Sequence, residues 1–131
     1  MNLKLNHLVK TLRDELNQYG EMLVLLDLYH KTAAELTETD FYVFSKEIQE
    51  QGLAIQRTRY ERELARQELA AQMQLNSVVP VEKMIPQLPE EYQQLVNELT
   101  RENRQLMEQV VESLHRKNYA PRIAKSDPVA A

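Results

Sequence analysis

Two carboxylate–histidine pairs are the groups in this chain whose types and spacing best suit chemistry: Asp27-Leu-Tyr-His30 and Glu112-Ser-Leu-His115. Three residues apart, both members of each pair fall on one helical face, as in the bundles that hold di-iron or di-manganese centres. Such a centre also needs an inward Glu from each of two further helices. The apolar seams of the later helices offer none, so no metal is expected. His30, flanked along its helix by Leu26 and Ala33, reads as a histidine at the edge of a core with a hydrogen-bond partner. Arg57, Arg59, Arg62 and Arg66 form the most basic stretch, and three of them share a face. Glu61, Glu63 and Glu68 interleave with them and no flat aromatic platform accompanies them, so a solvated, ion-paired helix face is expected, with no nucleic-acid partner. There is no Cys, which removes disulfides, thiol catalysis and thiolate zinc sites. With two Gly in the whole chain, a phosphate-cradling loop has no material to be built from. No nucleophile–base pair is evident, so neither an enzyme nor a cofactor is expected.

The elements that would position these residues are long helices. At 131 residues the chain makes one domain, and Leu, Glu, Gln, Arg and Ala dominate it. All five Pro follow residue 79, which leaves about three fifths of the chain free of proline. The N-terminal MNLKLNHLVKTLRDEL has no apolar signal core, and the longest aliphatic run, Met22 to Leu26, is far too short to span a membrane. A net charge of −4 argues against anionic surfaces as partners. A cytoplasmic all-α protein without a membrane span is expected.

From Leu5 the apolar residues repeat at intervals of four and three: Leu5, Val9, Leu12, Leu16, Tyr19, Leu23, Leu26, His30 and Ala33. Leu8, Met22, Leu25, Tyr29 and Leu36 widen this stripe, so the helix should touch more than one neighbour. Thr37-Glu-Thr-Asp40 supplies two candidate caps, Thr37 and Asp40, for a second helix folding back antiparallel. Its early seam is Phe41, Phe44, Ile48 and Ile55, the strict seam lapses around Gln51 to Arg62, and the nearly all-polar middle, Gln56 to Glu63, is expected to be exposed. Val79, Ile85 and Leu88 each precede Pro, which should push them out of the α region. The connector should nonetheless pack down through Val78, Val79, Val81, Met84 and Ile85, with room for one helical turn over 81–85.

Pro89 suits the first position of a third helix, with Glu90 and Glu91 favoured by its dipole. These readings give helices over about 3–36, 40–75 and 89–118, a connector over 76–88 and a disordered tail over 119–131. The expected fold is an elongated antiparallel hairpin of two long helices plus a third, shorter helix, as in a coiled-coil-like three-helix bundle. Asn103 interrupts the apolar seam of helix three, where a buried Asn sets register or meets partner backbone groups. Val110, Val111 and Leu114 extend apolar surface beyond what a three-helix hairpin buries. Either an amphipathic helix of another protein or a second copy in a homodimer would cover it.

Three stretches together resemble the FlgN-like flagellar export chaperones. The first is the Leu-rich helix running into the acidic turn Glu35-Leu-Thr-Glu-Thr-Asp40. The second is Val81-Glu-Lys-Met-Ile-Pro-Gln-Leu-Pro-Glu-Glu-Tyr92, similar to that family's short hydrophobic element and Leu-Pro-Glu-Glu. The third is Leu99-Thr-Arg-Glu-Asn-Arg-Gln-Leu106, similar to its Leu-x-x-x-Asn-x-x-Leu pattern. Two features depart from the pattern: the polar middle of helix two, and Tyr119-Ala-Pro where a Tyr-then-Gly ending often follows the last helix. The resemblance implies a non-enzymatic cytosolic chaperone that binds helical C-terminal segments of hook–filament junction proteins and delivers them to the flagellar type III export apparatus. It also implies a cargo groove from Leu99, Leu106, Val110, Val111 and Leu114, with Asn103 as a polar register contact.

Overall fold

The computed structural model describes residues 2–116. Its elements are α1 (Asn2–Thr32), a 3-10 turn at Ala33–Glu35, α2 (Glu38–Gln72), the single-turn α3 (Val81–Met84), a 3-10 turn at Ile85–Gln87, and α4 (Glu90–Ala130), of which the part up to Arg116 is described. The stop expected near Asn118 and the tail expected over 119–131 lie outside the described residues. The expected all-α hairpin with a further helix is the fold found, and α1 is its centre, packed against both α2 and α4. Lys4 meets Glu68 while Gln18 meets Gln51, so α2 runs antiparallel to α1. Tyr92 reaches Asn6 and Asn103 reaches Leu12, so α4 runs parallel to it.

The stripe on α1 is buried on two sides because its neighbours flank it. Its first half, with Leu5, Leu8, Val9 and Leu12, meets Ala65, Leu69 and Ala70 of α2 and Val96 and Leu99 of α4. Val81, Met84 and Leu88 of the connector complete this first cluster and Val79 and Ile85 pack partly against it, whereas Val78, expected among the anchors, is exposed to solvent. Its second half, with Tyr19, Met22, Leu26 and Tyr29, meets Ile48 and Ile55 of α2 and Val110 of α4. The ring of Tyr29 stands edge-on to Phe44, with centroids 5.8 Å apart.

The turns follow local chemistry. Thr37 takes the cap position at the start of α2, its Oγ1 accepting from the Asp40 backbone N–H at 3.1 Å. Ile85 keeps an α conformation (φ −52°, ψ −47°) although Pro86 follows it, because Ile85 opens the 3-10 turn and Pro86, its second residue, loses no bond through its missing N–H. Leu88, before Pro89, is extended as expected. Pro89 stands just before α4, accepting from the Tyr92 N–H at 2.9 Å.

Helix α2 stops at Gln72, three residues before the Leu75 expected from helix formers alone. The N–H of Leu75 returns to the Ala70 carbonyl at 2.8 Å and that of Gln74 to Ala71 at 3.1 Å, a Schellman arrangement. It requires a left-handed residue, and Gln74 supplies it at φ 60°. A side chain in that region costs roughly 1 kcal/mol relative to glycine. Gln74→Gly should therefore raise stability by about 1 kcal/mol in urea unfolding, with an unchanged m-value.

Candidate functional site

Between the two apolar clusters lies a polar layer. Glu15 occupies the same heptad column of α1 as Leu8, Met22 and Tyr29, so α2 must meet a buried carboxylate there, its side chain only 4% exposed. It does so with Arg62, whose Nε donates to Glu15 Oε1 at 3.0 Å, while the Tyr19 hydroxyl donates to Oε2 at 2.6 Å. Burial pushes the Tyr19 phenol well above its ordinary value, and the bond to Glu15 adds to this. One turn on, Arg66 grips Glu63 through Nε and Nη2 and donates from Nη1 to the Val79 carbonyl at 2.6 Å. The Arg66 hydrogen bond holds the Glu63 carboxyl below its ordinary range. Arg104 of α4 pairs with Glu82, so a cation from each flanking helix ties down the connector.

The basic stretch is therefore not one solvated face. Arg57 and Arg59 are exposed, but Arg62 and Arg66 turn inward, and the polar middle of α2 faces this layer as well as solvent. Arg62 and Arg66 continue the spacing from Ile55 to Leu69, and Glu15 breaks an apolar column opposite them. Those two signals together mark the pair.

On α4 the layer is closed by Asn103, which is buried and donates from Nδ2 to the Leu12 carbonyl at 2.9 Å. Asn103 Oδ1 and Thr100 Oγ1 are both buried without a hydrogen-bond partner among the described residues. Both residues line a cavity of about 340 Å³ between α1, α2, α4 and the connector, alongside Glu15 and Arg62. A solvent-sized polar interior of this kind suits ordered water.

The six residues expected to form a groove do not share one surface. Leu99, Asn103 and Val110 are buried against α1, and Leu106 and Leu114 pack partly on the second cluster. The physical reason is the width of the α1 stripe, which takes α4 as its second neighbour and uses up that seam. Val111 alone is well exposed, at 59%. It lies with Leu114 in a shallow cleft of about 650 Å³ on α4, where Met107 adds apolar surface and Glu108, Glu112 and His115 supply polar atoms. Met107 was not in the expected set, although it widens the same face in the sequence.

His30 is at a core edge, its Nε2 3.2 Å from the Ser113 carbonyl and 3.3 Å from Ser113 Oγ. Asp27 pairs instead with Lys31 at 3.0 Å. Among the described residues no three His, Asp or Glu side chains gather where a metal ion would sit, and no helix is long and apolar enough to cross a membrane. Comparison with protein-family models, curated proteins and solved structures gives no match to the chain.

Removing one member of a buried ion pair strands the other, whereas replacing both with apolar groups of similar volume is close to neutral. Arg62→Met should lower stability by about 2–4 kcal/mol, and Glu15→Met combined with Arg62→Met should recover most of that loss. Glu63 titrates lower in the folded chain than in the unfolded one, so its contribution is present above the ordinary value of 4.5 and is lost as pH falls through and below it. Glu63→Gln should flatten the acid limb of a stability–pH curve and leave the limb above pH 7 unchanged.

Proposed function

We propose that this chain is a non-enzymatic helical chaperone of the FlgN-like kind. In this reading it works in the cytosol, holds helical C-terminal segments of hook–filament junction proteins, and hands them to the flagellar type III export apparatus. The supporting observation is the cleft on α4, where an apolar floor of Met107, Val111 and Leu114 meets a polar margin of Glu108 and Glu112. That is the pattern by which a groove accepts the apolar face of an amphipathic helix. The Leu-Pro-Glu-Glu connector and Asn103 supply the likeness that names the cargo. In this reading Val110, buried in the second cluster, backs the cleft, and Leu99, buried in the first cluster, stands apart from it, so neither touches cargo directly.

Calorimetric titration with C-terminal fragments of the hook–filament junction proteins from the same genome tests this. Saturable binding with a negative heat-capacity change is expected. Val111→Asp should weaken it at least about tenfold, equivalent to about 1.4 kcal/mol, with helicity and Tm unchanged. Val110→Asp should instead lower Tm, because it places a charge in the second cluster. Absence of binding by every fragment would overturn the reading.

A further inference from the structure

The side of α2 turned away from α1 carries a second apolar stripe that nothing among the described residues covers. Tyr42, Leu53, Tyr60 and Leu64 are 67%, 60%, 64% and 40% exposed, while Ile48 and Ile55 on the opposite face are buried. The positions of the stripe are spaced symmetrically about Leu53. Eleven positions to either side stand Tyr42 and Leu64, seven to either side Lys46 and Tyr60, and four to either side Gln49 and Arg57. These intervals of four and three keep all seven residues on one helical face.

We infer that this face pairs with the same face of a second copy of the chain, antiparallel, about a two-fold axis at Leu53. A two-fold contact is self-complementary, so each contact off the axis is made twice. Antiparallel pairing sets Tyr42 against the second copy's Leu64, and Leu53 against itself. It sets the Lys46 ammonium against the Tyr60 ring, a cation–π contact. Beside this line, Glu50 comes next to Arg57 of the other copy, and Lys46 next to Glu61. None of Lys46, Glu50, Arg57 and Glu61 makes an ion pair among the described residues. Parallel pairing would instead oppose Lys46 to Lys46 and Arg57 to Arg57, which is repulsive. Charge therefore selects the antiparallel dimer. The stripe is about 33 Å long at 1.5 Å per residue, a single helix-pair contact at the small end of specific interfaces. A reversible dimer follows. The contact uses none of Met107, Val111 and Leu114, so it stands or falls separately from cargo binding.

Sedimentation equilibrium should show a concentration-dependent monomer–dimer equilibrium. Glu50→Arg and Arg57→Glu should each weaken the dimer about tenfold, and an equimolar mixture of the two variants should restore it as a heterodimer. Because the chain has no Cys, single cysteines report the geometry cleanly. Leu53→Cys should form a disulfide dimer on mild oxidation, since the axis brings its two copies within bonding range. Leu64→Cys should not pair with itself but should pair with Tyr42→Cys. All these positions are exposed, so circular dichroism should show unchanged helicity. A wild-type chain monomeric up to hundreds of micromolar would overturn the inference. So would self-pairing of Leu64→Cys as fast as that of Leu53→Cys, which would mean parallel pairing.

Discussion

A carboxylate in the interior of a helical hairpin has few acceptable positions, and Glu15 is such a carboxylate. It interrupts the column of Leu8, Met22 and Tyr29 on the helix against which both α2 and α4 pack. Slipping α2 by one turn against α1 would either set Thr58 opposite Glu15 in place of Arg62, or bring Arg66 there and push Arg62 against the apolar second cluster. Either outcome strands a buried charge. Asn103 applies the same restriction to α4, because its Nδ2 has one carbonyl, that of Leu12, within reach. Leucine-rich seams tolerate sliding far better than they tolerate an unsatisfied polar group, so the polar layer sets the register that the apolar clusters then stabilise.

The connector's placement follows from that layer. Above it, the space between α2 and α4 is filled by Val81, Met84 and Leu88, and Arg66 and Arg104 fasten the filling from either side. The connector provides no comparable filling below, so the lower end of α4 carries its cleft where Met107, Val111 and Leu114 pass beyond the inserted segment. The cleft results from the connector's length as much as from any surplus of apolar residues.

The long-range pattern was legible in the sequence because it rests on local rules. The heptad spacing of α1, the cap at Thr37 and the anchored connector follow from side-chain volume, hydrogen bonding and the limits of proline. What escaped depended on pairing between helices. Arg62 and Arg66 look like part of a solvated run until Glu15 is placed across from them, and no single-helix pattern makes that placement. Val110 looks like surplus surface, and the resemblance puts Leu99 in a groove, until the α1 stripe is known to need a second neighbour along its full length. The ends of elements escaped for a smaller reason. Gln74 enters the left-handed region without being Gly or Asn, and Ile85 stays helical before Pro86, because the surrounding turn bonds outweigh the local preference.

The polar middle of α2 illustrates how one segment meets two demands. A helix that faced solvent on all sides there would need no particular arrangement of its arginines, tyrosines and glutamates. Instead Arg62 and Arg66 point inward at intervals that continue from Ile55 to Leu69, while Leu53, Tyr60 and Leu64 point outward at intervals of their own. The two rows lie on opposite faces of one helix, and the inner row fixes the rotation of the outer. A helix whose rotation about its own axis is held by a buried ion pair presents a constant outer face, which a self-complementary contact requires. The proposed pairing surface therefore depends on Glu15 even though Glu15 lies on another helix, whereas the α4 cleft depends on the connector and on Val110 beneath it. With independent supports of this kind, the proposed pairing and the proposed cargo holding would not compete for the same residues.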